Sequence, residues 1–222
     1  MKTLKQTLSQ ILIASSLFSF NVSATIVGEP EANTGFTKKQ QVISDKFMVA
    51  AANPYAVKAG HAILANGGNA VDAAIATQLV LTLVEPQSSG IGGGTFMLHW
   101  DNKNNKMTTF DGRETAPSAA SSSLFLDPKG KPLRWRDAVV GGRSVGVPGL
   151  LATFKKAHDQ YGKLPWSVLF EQAITLAENG FIVSPRLAAM VSADADRLRR
   201  DHTAPTRSRP NSICEGGESV SR

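Results

Sequence analysis

Apolar residues fall at helical spacing over the first well-punctuated part of the chain. Asn53-Pro54 reads as an N-cap followed by the first helical residue, and Gly67-Gly68 stops the helix that follows. Asn69 caps a second helix, AVDAAIATQLVLTLV, which Glu85-Pro86 ends. Val71, Ile75, Leu79 and Leu83 share one face of it. Its other faces are mostly apolar as well, so this helix is expected to be buried nearly all round.

Alternation then replaces the helical spacing. After QSSGIGGG come TFMLHW, the polar run DNKNNK and MTTFDG, which read as strand, turn and strand. Phe96, Leu98 and Trp100 alternate with Thr95, Met97 and His99. DPKGKP is another turn, and AVVGGRSVGVPG reads as a short strand running into glycines. Three helices are expected after it. Pro148 opens one with Leu151, Phe154 and Ala157, closed by Gly162. Pro165 opens the next, with Leu169, Ala173 and Leu176, stopped at Asn179-Gly180. Ser184-Pro185 opens the third, with Leu187, Val191 and Leu198. The pattern stops near Arg200, and DHTAPTRSRPNSICEGGESVSR has almost nothing to bury, as a disordered tail would.

The N-terminus stands apart from this layered unit. Lys2 and Lys5 precede an apolar run from Ile11 to Phe20 and the small-residue exit Val22-Ser23-Ala24. This is the pattern of a secretory signal peptide, residues 1–24, and the run is too short to span a bilayer. A periplasmic or secreted location is therefore expected, with residues 25–46 as a polar lead-in. The 222-residue chain is 42% hydrophobic and 19% charged, ordinary for one globular domain. Formal net charge is +6, about +4 once Lys2 and Lys5 leave with the leader, and the basic residues are scattered. No basic stripe with interleaved aromatics argues for nucleic acid. Cys214 is the single cysteine and cannot form an internal disulfide, and the four histidines lack metal-ligand spacing.

Several stretches invite a chemical reading. GRSVG, residues 142–146, matches the G-x-S-x-G nucleophile elbow with Ser144 as nucleophile. The next helix opens late for an elbow, however, and only His158 and His202 follow as partners, so a tight glycine turn is preferred. GIGGGT, residues 90–95, lacks the third glycine of a dinucleotide loop and enters a strand rather than leaving one. Its glycines are expected to let backbone pack closely. Thr108 and Thr109 read as strand formers. Arg113, in DGRETAP at 111–117, sits on a turn at a strand end, where its planar fork can face a carboxylate. The competing reading is a surface arginine paired with Glu114 or with nothing.

The segment MVAAANPYAVKAGHAILANGGNAVDAAIATQLVLTLVEPQSSGIGGGTFMLHW, with DGRETAP and GGRSVGVPG, closely resembles the N-terminal part of bacterial γ-glutamyltranspeptidases (glutathione hydrolases), from about Met48 to about Arg200. The resemblance implies an α+β N-terminal-nucleophile (Ntn) hydrolase αββα sandwich, incomplete, with only the large-subunit portion present in 47–200. It implies a precursor that cuts itself, whose new N-terminal threonine attacks γ-glutamyl amides such as glutathione and passes the acyl group to water, amino acids or peptides. It implies that Arg113 holds the glutamate α-carboxylate, that the partner is the released small subunit, and that neither cofactor nor metal is needed.

The departures are equally specific. The family's threonine-threonine-histidine-aromatic nucleophile segment has no counterpart: Thr108-Thr109 lie upstream of the arginine block, and Thr203 follows a histidine. The 222-residue chain alone is therefore expected to be inactive. Residues 201–222 do not resemble the family, and a frameshift or misassembled gene end is preferred over a genuine short protein. Two alternatives stay open: a cephalosporin-acylase-like relative, or a secreted noncatalytic binding fragment that keeps Arg113.

Overall fold

The computed structural model describes residues 40–200, Arg200 by its backbone alone. The expected signal peptide 1–24, most of the expected lead-in and the segment from Asp201, with His202, Thr203 and Cys214, lie outside the described residues. The unit that begins at Val42 is built from helices and one hairpin.

Helices α1 (Pro54–Ala65) and α2 (Ala70–Val84) pack against each other. Both start as the sequence predicts. The Asn53 side chain accepts from Tyr55 N at 3.0 Å, and Asn69 Oδ1 accepts from Val71 N and Asp72 N. Asp72 returns the bond by accepting from Asn69 N at 3.1 Å, closing a reciprocal cap. Only Ala70 and Ala74 of α2 are exposed, so the nearly all-apolar helix is covered on almost every side. Ile75, Leu79 and Val71 meet Phe110, Leu150, Phe154 and Leu169 in the main core, while Val80 and Val84 pack with Ala56 and Ala59 of α1.

The buried Asp72 carboxylate also ties α2 to a distant loop. It accepts Lys163 N at 3.1 Å and Leu164 N at 3.2 Å, with His158 Nε2 3.7 Å away. Glu85 closes the other end of α2. It accepts from Asn53 Nδ2 at 2.9 Å and from Arg186 Nη1 at 3.0 Å.

Strands β1 (Thr95–Asp101) and β2 (Lys106–Gly112) pair antiparallel, from Thr95↔Gly112 to Asp101↔Lys106. Asp101 organises the turn by accepting from Lys103 N, Asn104 N and Asn104 Nδ2, and the last of these does most to hold its carboxyl below the usual range. Asn105 takes the left-handed conformation there. Met97 and Phe110 face the core, and Tyr161 stacks on His99 and bonds Thr108 Oγ1 at 2.8 Å. The opposite face carries Phe96, Leu98 and Trp100, which are 66%, 70% and 49% exposed.

After β2 the order departs from the sequence reading in four places. The short strand expected from Ala138 is instead the end of a short helix, α3 (Trp135–Val139), and the tight glycine turn expected at 142–146 is a 3₁₀ turn at Gly142–Ser144. Gly141 at φ 96° breaks the chain direction, and the Ser144 hydroxyl donates back to the carbonyls of Val139 and Gly141. These local bonds compete with any ladder. Only Val147 pairs, with Thr115. Helix α4 (Leu150–Tyr161) starts two residues after Pro148, because Gly149 and Leu150 N donate to the Gly93 carbonyl. Pro165 opens a 3₁₀ turn, Trp166–Phe170, which leads into α5 (Glu171–Asn179). The last helix divides into α6 (Pro185–Ala193) and α7 (Ala195–Arg200), because Asp194 accepts from Arg197 Nε at 2.6 Å and starts a new turn.

Two outcomes follow from this packing. Asp72→Ala removes the buried carboxylate that accepts from the part-buried Asn69, Lys163 and Leu164 N–H groups, and is expected to cost about 1–3 kcal/mol, since water can reach some of the donors it leaves. Asp72→Asn, which retains one oxygen, should cost less. Urea denaturation followed by helix signal ranks the two, and equal midpoints for Asp72→Ala and the parent would refute the clamp. The apolar outer face of the hairpin should make the isolated 222-residue chain self-associate. Sedimentation of Phe96→Thr/Leu98→Thr against the parent checks this, with a shift towards monomer expected.

Candidate functional site

Arg113 follows directly on the last rung of the hairpin, so a strand end fixes its backbone. Asp111 Oδ1 accepts from Arg113 N at 2.9 Å. Its guanidinium donates from Nη1 to Glu114 Oε2 at 2.9 Å, and the two side chains are 69% and 26% exposed. Among the described residues, no other side chain bonds this guanidinium.

The neighbourhood is assembled by backbone approaching backbone. A Cβ on Gly112 would overlap Thr153 of α4, and one on Gly149 would overlap the Gly112 carbonyl. Gly93 O takes Gly149 N at 3.2 Å and Leu150 N at 3.1 Å, so the glycine loop caps the start of α4. Val147 N donates to Thr115 O at 2.9 Å, which brings Gly146 against Glu114. GIGGG, DGRE and the end of GGRSVGVPG, well separated in sequence, thus meet at one place. Close packing, expected of the 90–94 glycines, is what Gly93 and Gly94 do. Sequence analysis placed Gly146 in a tight turn but did not foresee that it and Gly149 pack against Glu114 and Gly112.

Other candidates are spent on structure. Ser144 Oγ is bonded to two main-chain carbonyls, and the polar contacts of His158 are Leu164 O at 2.8 Å and Asp72. The nucleophile-elbow geometry is absent, because a 3₁₀ turn, not a strand, carries the serine. Among the described residues there is no cluster of three His, Cys, Asp or Glu side chains that could hold a metal. None of their helices is long and apolar enough to cross a membrane.

An exposed arginine at a strand end, beside a helix start packed through glycines, sits on a mixed helix-and-strand scaffold. Residues 56–215 match the family model described as gamma-glutamyltranspeptidase, and the chain belongs to that family. The match runs into the segment assigned to the tail. The glutathione hydrolase proenzyme of Bacillus subtilis (strain 168) is 41% identical over 162 residues, 73% of this chain and 28% of that protein. The chain therefore spans little more than a quarter of that relative. The Helicobacter pylori gamma-glutamyltranspeptidase structure superposes with a TM-score of 0.76 at 28% identity, over 82% of this chain and 52% of that one. A cephalosporin acylase from Bacillus halodurans gives 0.70 at 30%, over 87% and 36%.

The bonding of Ser144 yields a direct test. A fluorophosphonate probe should leave no adduct on Ser144 when the labelled chain is digested and mapped by mass spectrometry. Stoichiometric labelling there would restore the serine-hydrolase reading.

Proposed function

We propose that this chain is the first, large-subunit part of an exported γ-glutamyltranspeptidase (glutathione hydrolase) precursor, and that Arg113 anchors the α-carboxylate of the γ-glutamyl substrate. The observation that carries the reading is the position of Arg113, on a strand end within the matched region, with a single N–H engaged by Glu114. A guanidinium has five N–H donors, so enough remain for two parallel bonds to a carboxylate.

In this reading the rest of the precursor completes an αββα sandwich and supplies an N-terminal threonine. Its hydroxyl oxygen attacks the γ-amide carbon, the amine leaves with a proton, and water or an amino acid resolves the ester. The role of this chain is to place the glutamyl group. The 222-residue chain contains no such threonine segment, so by itself it is expected to turn nothing over. Residues 1–24 would direct export, and 25–46 would link the leader to the domain.

The likeness to a cephalosporin acylase favours one second reading, a relative that removes a different acyl side chain. The arginine separates the two. Residues 48–200 are carried in place of the matching segment of the B. subtilis proenzyme, and KM for γ-glutamyl p-nitroanilide is measured. Arg113→Lys keeps the charge but not the fork, and should raise KM about ten- to a hundred-fold, the worth of one charged hydrogen bond of about 1.5–3 kcal/mol. Arg113→Ala should do worse, with subunit processing intact. An unchanged KM in Arg113→Ala would leave the surface-arginine reading. Better turnover of an acyl anilide that lacks the α-amino acid group, insensitive to Arg113→Ala, would favour the acylase.

A further inference from the structure

We propose that Gly94 and Gly146 form a steric seat for Glu114, and that Glu114, locked in this seat, is a positioning residue that sets the direction of the Arg113 fork. The inference rests on the anchoring role of Arg113 and adds what holds the anchor still.

An exposed ion pair is ordinarily weak, because two long side chains must be ordered to make it. Here one of the two is ordered by the fold. Gly94, from the loop before β1, and Gly146, from the segment before α4, close on Glu114. A Cβ at Gly94 would stand 2.5 Å from Glu114 Oε2 and 2.9 Å from its Cδ, and one at Gly146 would stand 2.8 Å from its Cβ. A Cβ at Gly93 would reach 3.6 Å from Oε1, an ordinary contact. Oε2 is also the atom that accepts from Arg113 Nη1. The oxygen that packs against Gly94 is therefore the one that accepts from the guanidinium, and a side chain so packed has less freedom left to lose when substrate arrives.

The glycines of the loop are not equivalent. A Cβ at Gly90 or Gly92 would meet nothing within 4 Å, so these two serve no such seat. Gly94 has a second neighbour, the Gly112 carbonyl 2.7 Å from the same Cβ position, and the test must separate the two contacts.

The test uses the processed chimaeric enzyme described above and reads KM and kcat separately, since partial processing alters only apparent kcat. Glu114→Ala should raise KM about fivefold, the worth of one exposed ion pair, with little change in kcat. Gly94→Ala should raise KM similarly in the parent but not further in the Glu114→Ala background, where Cδ and Oε2 are gone. Gly92→Ala should leave KM unchanged. An equal rise from Gly94→Ala in both backgrounds would place its effect on the Gly112 backbone and overturn the seat. An unchanged or lowered KM in Glu114→Ala would overturn the positioning role, and it keeps the test decisive if Gly94→Ala is not processed. If Arg113→Ala also leaves KM unchanged, the anchoring reading has failed. If Arg113→Ala raises KM and Glu114→Ala does not, only the present inference has.

Discussion

A helix with almost no solvent-exposed face must have its ends satisfied by protein, and α2 meets that constraint with one carboxylate at each end. Asp72 is fully buried and accepts main-chain N–H groups from its own cap and from the loop after α4. Its charge also lies in the first turn, where the helix dipole favours it. Glu85 lies at the opposite, electronegative end, where a carboxylate alone would be disfavoured. Asn53 and Arg186 offset this by donating to its two oxygens. The apolar bulk of α2 supplies burial, and the two acids determine what it can be buried against.

That clamp propagates to the arginine. The Asp72 bonds hold Lys163 and Leu164, and so fix the chain leaving α4; the Gly93 carbonyl fixes the start of α4. With both ends of α4 placed, Thr153 lies where the end of β2 tolerates only glycine, at Gly112. Arg113 is the next residue. Its backbone position is therefore set by a series of close contacts running back to the core, although its side chain is among the exposed ones.

Much of this was legible in the chain. Asn53-Pro54, Asn69 and Ser184-Pro185 each announce a helix start by their capping chemistry, and the alternation of 95–100 announces a strand. The hairpin's burial was less legible, because alternation says that two faces differ and not which one is covered; here the larger apolar set faces outward. The short strand expected at the start of 138–149 failed for a definite reason, although the glycine turn after it is present. Its valines suggest a strand, but the Ser144 hydroxyl and the left-handed Gly141 satisfy the backbone locally. Asp72 gave only a local signal, three residues after its cap, while its bonds to Lys163 and Leu164 span ninety residues that no local pattern connects. Arg113 was found through its motif, and the glycine contacts around it only through space.

The exposure of Arg113 bears on what such a residue can contribute. A substrate α-carboxylate carries the same charge in the ground state and in the transition state for attack at the distant γ-carbonyl. An arginine that binds it therefore stabilises both alike, and its effect belongs in KM rather than kcat. Rate would come from elsewhere in the completed enzyme, and selectivity for acyl groups bearing an α-carboxylate from this corner. Selectivity of that kind depends less on the strength of the bonds than on their direction, because a freely moving cation would accept many anions. In the proposed reading the strand end and the seated Glu114 restrict that direction, which would let an exposed arginine at this position discriminate between substrates.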